Sequence, residues 1–552
     1  MNSGPVVSYG KKARGMEVEM GIYINPGNSG FAEIAGDDYV DKTLLIDHIN
    51  RTVGKGNKLT CISRPRRFGK SYAARMLTAY YDCSCDSHFL FDQKKIAGTT
   101  DYKRHINQYN VVYLDITGFV SAAQRKGEPL REVPAEIVKA LLDELLENNR
   151  DLPDGISLEE ALITCAEKEQ GRKFIFVIDE WDALIREAKD DEEAQRRYLN
   201  LLRGWFKNAN FTPRAVAAAY MTGILPIKKD GSQSAISDFE EYSMIDPWEF
   251  GEFVGFTEEE VRKLCSQNSA DFERMKLWYD GYGFQGTGAV YNPNSVMKAI
   301  RRKRFDSYWT ETSAAEGLLD YISKDYNGLT KTIAELIGGV KVKVNTTGFA
   351  NDLTTFRGKD DVLTLMIHLG YLAYNEADKT VRIPNEEIKL EFQRSIHEVK
   401  HEATMKRLEE SERLFADTIH GNEQAVAAQI EKIHAEETAP LHYNKEESLR
   451  SVVKLVYYTY RDHYVQMEEL PGGEGYADIV YIPRQDSSWP ALVIELKWNM
   501  EAEGAIAQIL KKNYPDVIKG LGCPILLVGI GYDKNAHAGG KKHTCRIVEY
   551  SR

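Results

Sequence analysis

The order of apolar and amphipathic stretches between residues 57 and 222 restricts the fold more than any other feature of this chain. Four apolar runs of strand length, LTCIS, VVYLDIT, FIFVID and AVAAAYMTGI, are separated by longer amphipathic segments. Such alternation predicts an α/β domain with a parallel sheet and helices on both faces. At 552 residues the chain exceeds the size at which one core keeps growing, and its 43% hydrophobic content can fill further domains.

The first strand runs into CISRPRRFGKS and then into the helical stretch KSYAARMLTAYY. Strand, loop and helix N-terminus come in the order of a P-loop, in which backbone N–H groups and the helix start surround phosphates. Gly69 makes the close approach, Lys70 reaches the terminal phosphate oxygens and the Ser71 hydroxyl binds Mg²⁺. Arg64 stands where the G-x-x-x-x-G-K-[ST] pattern has its first glycine. Arg64, Arg66 and Arg67 crowd the loop, where permanently charged guanidiniums would stabilise phosphate charge or contact a partner.

A second half of this site comes from FIFVIDE, an apolar strand ending in Asp179 and Glu180. A buried strand that delivers acids at its end suits Mg²⁺ coordination by Asp179 and orientation of an attacking water by Glu180, with Asp182 as a reserve. Thr222, ending the AVAAAYMT strand, is placed either to sense the γ-phosphate or to cap its own backbone. The cofactors expected from these residues are ATP and Mg²⁺.

Four segments emerge: an ATPase domain at 1–235, a mostly helical module at 236–400, a helical linker at 401–440 and a terminal α/β domain at 441–552. Residues 1–15 differ in character from the rest of the first segment and read as a disordered leader. In the module, Val362, Leu365, Met366 and Leu369 form one helical stripe, and YLAYNEADKTVRI after it suggests a hairpin; a winged-helix element is one reading of the two. In the linker Val426, Ile430 and Ile433 share a stripe that Pro440 ends.

A formal net charge of −12 argues against a protein that coats nucleic acid over its whole surface, so any such contact is local. Arg301, Arg302, Lys303 and Arg304 form the clearest basic cluster, a solvated helix end or a contact point. No apolar run is long enough to span a membrane, and Met1 to Met20, Gly- and Lys-containing, do not read as a secretory leader, so neither membrane insertion nor secretion is expected. Seven scattered cysteines without a zinc-type pair fit a reducing cytoplasm, and Cys83 and Cys85 read as ordinary thiols.

YVDKT at 39–43, SRPRRFGKS, VIDEWD, TGILPI, WYDGYGF, YNPNS and YWTETS at 308–313 occur in this order. In them the chain resembles a bacterial AAA-ATPase-like family whose members commonly carry a C-terminal PD-(D/E)XK nuclease-superfamily domain. The resemblance implies a P-loop NTPase sheet and, after it, a restriction-endonuclease-like α/β domain. An arginine at the first P-loop position belongs to that family's pattern.

GYADIVYI and ALVIELKWN read as two strands joined by a polar loop. Glu495 and Lys497 then share a face, Leu496 takes the opposite one, and Asp478 on the preceding strand can converge with them. Two carboxylates can hold Mg²⁺, or Mn²⁺, against a phosphodiester while Lys497 orients the attacking water. The D-x16-E-x-K spacing resembles the PD-(D/E)XK core, and the resemblance implies a further metal ligand on the preceding helix. Glu446 fits that place better than Glu447, sharing a helical face with Leu449, Val453 and Val456. Gln508 and Tyr514 resemble residues of the helix after the core, there placed to touch bound water or the DNA backbone.

The leading expectation is an ATP-dependent, metal-dependent nuclease acting on nucleic acid, DNA first, with nucleotide state gating the nuclease. The alternative is a nucleotide-dependent regulatory switch whose terminal domain binds nucleic acid or protein without cutting; a third reading is a nuclease with a structural P-loop. A homo-oligomer in which a neighbour supplies an arginine is a common arrangement for P-loop ATPases. A role in phage defence rests on analogy of architecture alone.

Overall fold

A computed structural model of the chain describes residues 20–36, 39–168, 171–227, 236–309, 329–337, 339–349, 356–398, 402–437, 453, 464–472, 475–483, 489–512, 515, 518, 523–533 and 543–550. The chain divides into two compact units, residues 1–311 with 343–388, and residues 312–342 with 389–552.

The first unit is built on five strands, β1 (Leu59–Ser63), β2 (Asn110–Asp115), β3 (Phe174–Asp179), β4 (Val216–Gly223) and β5 (Glu240–Tyr242). They lie in the order β2-β3-β4-β1-β5 and every pairing is parallel. All residues of β1, β3 and β4 are buried, which explains why their sequences are apolar throughout rather than alternating. The cover comes from α1 (Lys70–Tyr81), α2 (Ile116–Lys126), α3 (Val133–Asn148), α4 (Leu158–Lys168) and α5 (Glu192–Phe206). Local chemistry sets their ends: Asp115 accepts the Thr117 N–H to start α2 and Gly127, at φ 70°, ends it; Asp191 accepts the Ala194 N–H to start α5.

Register brings the functional ends together. Ile62 pairs with Thr222, Ile178 with Met221 and Asp115 with Asp179, so β1, β3 and β4 finish side by side. The P-loop leaves the sheet there, beside the acids of β3, at the edge where parallel α/β folds bind ligands.

Beyond the sheet, β6 (Phe256–Thr257), β7 (Tyr282–Phe284) and β8 (Gly288–Tyr291) form a small antiparallel sheet in the order β6-β8-β7. Three helices accompany it, α6 (Glu258–Asn268), α7 (Phe272–Tyr279) and α8 (Pro293–Arg302). A capping box between Thr257 and Glu260 starts α6. The YNPNS turn is an N-cap, in which the Asn292 side chain accepts from the N–H groups of Asn294 and Ser295 and Pro293 opens the helix. Arg301 to Arg304 are exposed at the C-terminal end of α8, the end a cation favours.

The expected helix and hairpin of the module are present within this same unit. A strand β9 (Val342–Lys343) precedes α9 (Lys359–Leu369), and β10 (Ala373–Asn375) then pairs antiparallel with β11 (Thr380–Arg382).

In the second unit, five strands run in the order of the chain: β12 (Tyr464–Gly472), β13 (Gly475–Pro483), β14 (Ala491–Trp498), β15 (Ile525–Tyr532) and β16 (His543–Glu549). The first three form an antiparallel meander, β14 and β15 are parallel, and β15 and β16 are antiparallel. Residues 402–437, read from sequence as a linker, fold as α10 (Glu402–Ile419) and α11 (Glu423–Glu437) and are part of this unit's core. Leu414, Phe415, Val426 and Ile430 bury their stripes against Leu492, Ile494 and Leu496 of β14. The amphipathic pattern was visible in sequence, but only the sheet shows what it packs on. The parallel step from β14 to β15 is made through α12 (Ala502–Lys511), whose Ile506 and Ile509 cover Ala491 and Val493 on the other face.

Candidate functional site

The loop 64–69 joins β1 to α1, and its geometry depends on two left-handed residues, Arg67 at φ 68° and Gly69 at φ 94°. Gly69 is the N-cap of α1, and no side chain caps that helix, so its first-turn N–H groups have neither an intrahelical nor a side-chain acceptor. Lys70 is buried; its Nζ donates to Pro65 O at 3.0 Å and lies 3.1 Å from Glu180 Oε1.

Asp179 is the centre of the acidic half. Thr222 Oγ1 donates to its Oδ1 at 3.2 Å, and the Ser71 hydroxyl stands near enough to stabilise its charged form. Burial pushes the Asp179 carboxyl up to about 6, with Glu180 adding to the shift while Ser71 and Lys70 oppose it. Glu180 sits at φ 50°, a left-handed backbone for a residue with a long side chain. Burial alone would raise its carboxyl, but Lys70, Arg186 and Arg66 together hold it below the usual carboxylate range.

Arg186 joins this group from outside every motif. Its Nη2 donates to Glu180 Oε2 at 2.9 Å and its Nε to Asp182 Oδ2 at 3.0 Å. The signal available was its place four residues after Asp182, the spacing of neighbours on a helix. Asp182 is fully buried and turns toward β4, accepting the N–H groups of Ile224 and Leu225.

Arg67 and Arg64 are held by backbone carbonyls. Arg67 Nη1 donates to Tyr308 O at 2.8 Å, which ties the loop to the first residue of YWTETS. Arg64, expected at the phosphates, is fully buried, and its guanidinium donates to the carbonyls of Ser63, Tyr242 and Ser243 at 2.9 to 3.0 Å. Burial lowers its pKa to about 10, and the Phe284 ring lies 5.0 Å from its charge centre. Arg64 thus fastens the loop to the strand β5 and the turn after it, apart from the group formed by Lys70, Ser71, Asp179, Glu180 and Thr222.

Residues 26–232 match the family model AAA-ATPase_like, described as Predicted AAA-ATPase. That span contains the loop, β1 to β4 and every residue of the group just described. No curated protein matches the sequence. Among solved structures the chain is similar to the Walker-type ATPase of Pyrococcus abyssi, at 12% identity over 64% of this chain and 94% of that one, with a TM-score of 0.32. It is similar to the ORC2 protein of Aeropyrum pernix, solved in ADPNP–ADP complexes, at 11% identity over 66% and 98%, TM-score 0.32. A DNA replication initiation factor gives 12% identity over 77% and 96%, TM-score 0.24.

A second cluster lies in the other unit, outside the AAA-ATPase-like span. With Ile479 paired to Ile494, Asp478 on β13 falls opposite Glu495 on β14. Glu495 accepts the Asp478 N–H at 3.4 Å, and Asp478 Oδ2 accepts the Leu496 N–H at 2.9 Å. Lys497 Nζ lies 3.3 Å from Glu495 Oε1, and Gln508 of α12 donates to the same oxygen. Ala491 and Val493 face α12, so the twofold repeat of the strand carries Glu495 and Lys497 to that face as well. Burial, and then the charge of Asp478, pushes the Glu495 carboxyl up while Lys497 opposes them.

Glu446, Tyr514 and the expected leader at 1–15 lie outside the described residues. Among the described residues no three His, Cys, Asp or Glu side chains are grouped to hold a metal ion. The donors present fit Mg²⁺, which takes one or two carboxylates and completes its shell from substrate and water. Ser71 with Asp179, and Asp478 with Glu495, are such sets, and burial has raised one carboxyl in each as a neighbouring cation would reverse. All seven cysteines are free thiols, and no helix among the described residues is long and apolar enough to cross a membrane.

Proposed function

We propose that the AAA-ATPase-like domain binds and hydrolyses ATP, and that the C-terminal unit is a metal-dependent nuclease, acting first on DNA, whose access the nucleotide state controls. The observation that carries the first half is the convergence of Lys70, Ser71, Asp179, Glu180 and Thr222 at the ends of adjacent parallel strands. The uncapped start of α1 surrounds the phosphates with N–H groups and Lys70 neutralises their terminal oxygens. Glu180, kept ionised by its basic neighbours, orients the attacking water and takes its proton as the terminal phosphate leaves ADP. Ser71 and Asp179 would hold Mg²⁺ there.

The nuclease half rests on the meeting of Asp478, Glu495, Lys497 and Gln508 across β13, β14 and α12. Asp478 and Glu495 would hold the metal, which supplies Lewis-acid polarisation of the phosphodiester. Lys497 orients the water and stabilises the charge that develops, and Gln508 keeps Glu495 in place. The antiparallel meander with a parallel step through a helix after it supports an endonuclease-like core. Free thiols throughout support a cytoplasmic protein.

The test is cleavage of linear, circular and single-stranded DNA and of RNA, with Mg²⁺ or Mn²⁺, with and without ATP, by wild type and Lys497→Ala. Cutting that requires Lys497 supports the nuclease, and its response to ATP measures the gating. ATP turnover that depends on Lys70, without cutting under any condition, would instead favour the regulatory switch.

A further inference from the structure

Lys70 and Glu180 occupy each other. The lysine that must reach the phosphates touches Glu180 Oε1, and the glutamate that must address water has that oxygen against an ammonium. Drawing Lys70 toward phosphate oxygens removes a counter-ion from a carboxylate in a largely buried setting, where an unpaired charge is costly. The structure supplies the replacement. Arg186 Nη2 already holds the other oxygen of Glu180, and Arg186 Nε is itself held by Asp182. Asp182 is fully buried and fastened to the backbone of Ile224 and Leu225 at the end of β4. The basic group that keeps Glu180 is therefore mounted on the sheet, while the one that leaves it is mounted on the P-loop.

We propose that Arg186 is a positioning residue that retains Glu180 as its counter-ion when Lys70 transfers to the phosphates of a bound nucleotide, so that nucleotide binding is an exchange of partners on one carboxylate. This rests on the ATP-binding reading of the same site. Without Arg186, Glu180 depends more heavily on Lys70 and competes with the phosphates for it. Nucleotide affinity falls for that reason, and the loss disappears when the competing charge is removed.

The experiment is titration of the full-length protein with a fluorescent ATP analogue and Mg²⁺, comparing wild type, Lys70→Ala, Arg186→Ala, Arg186→Lys, Glu180→Gln and the double variant R186A/E180Q. Arg186→Ala is expected to weaken binding about tenfold, the worth of one charge-assisted hydrogen bond. Arg186→Lys, which keeps the charge but lacks separate nitrogens for Glu180 and Asp182, falls between it and wild type. The double variant regains the affinity of Glu180→Gln, a rescue that a merely structural arginine would not show. Wild-type affinity in Arg186→Ala and Arg186→Lys, or an equal loss in the double variant, overturns the proposal and leaves the ATP site standing. Wild-type binding that does not depend on Lys70 removes the ATP reading, and the exchange falls with it.

Discussion

The buried carboxylate of Asp182 accepts the N–H of Leu225 at 2.8 Å, so the chain leaving β4 is hung from the turn after β3. The same carboxylate holds Arg186, which makes Asp182 the joint between the sheet and the basic cluster. Asp182→Ala should therefore be among the most damaging single changes in the domain. It leaves Arg186 without its anchor and two backbone N–H groups without an acceptor, at a cost of roughly 3–5 kcal/mol. Denaturant unfolding measures this, and stability within about 1 kcal/mol of wild type would refute the assignment.

Arg64→Gly restores the residue that the P-loop pattern has at this position, yet it should destabilise the protein. The carbonyls of Tyr242 and Ser243 lose a buried donor and the guanidinium leaves a cavity, for about 2–4 kcal/mol together. ATP affinity measured well below the unfolding temperature should change little, because the guanidinium is engaged with β5 and the turn after it. A large loss of affinity with unchanged stability would return Arg64 to the phosphates.

Thr222→Val removes the hydroxyl that donates to Asp179 while keeping the shape of the side chain. ATP binding should persist and turnover should fall by about tenfold, the scale of one hydrogen bond to a charged group. Steady-state kinetics separates the two, and a change confined to KM would argue against a role in the chemical step.

The raised carboxyl of Asp179 gives the Mg²⁺ dependence a pH signature. Its pKa of about 6 means that the metal-free folded protein carries a proton on Asp179 below that pH, and Mg²⁺ must displace it. Mg²⁺ affinity in the presence of ATP should thus fall as pH drops through 6 and level off above it, with proton release greatest at the low end. Calorimetry in buffers of different ionisation enthalpy reads that release. ATP's own terminal phosphate titrates in the same range, so the comparison is with Asp179→Asn, and a profile no steeper than that variant's would exclude Asp179 as a ligand.

Glu495→Gln and Lys497→Ala should each abolish cleavage while leaving ATP turnover unchanged, since both residues lie in the other compact unit. Glu495→Gln carries a second expectation. It removes a buried carboxylate whose charged form is already disfavoured, so its thermal stability at neutral pH should equal or exceed that of wild type without metal. A marked loss of stability would mean that the ion pair with Lys497 holds the unit together.

Much of the first site was legible in the sequence because its parts are local. An apolar run fully buried in a parallel sheet has to be continuous, a helix start has to come after the loop, and an acid ending such a strand has few uses; Lys70, Ser71, Asp179 and Glu180 are all marked this way. The face shared by Glu495 and Lys497 comes from the twofold repeat of a strand. Long-range relations were not legible. That Arg64 turns back to the carbonyls of Tyr242 and Ser243, that Asp182 faces Leu225 rather than Asp179 and Lys70, and that α10 and α11 are core rather than linker depend on partners far away in sequence. Which segments become strands and helices, and which residue types stand at their ends, can be read along the chain, since propensity and periodicity act over a few residues. Which charge meets which is a matter of the folded chain, because an ion pair is chosen by the register and order of strands, and neither is written in any one of them.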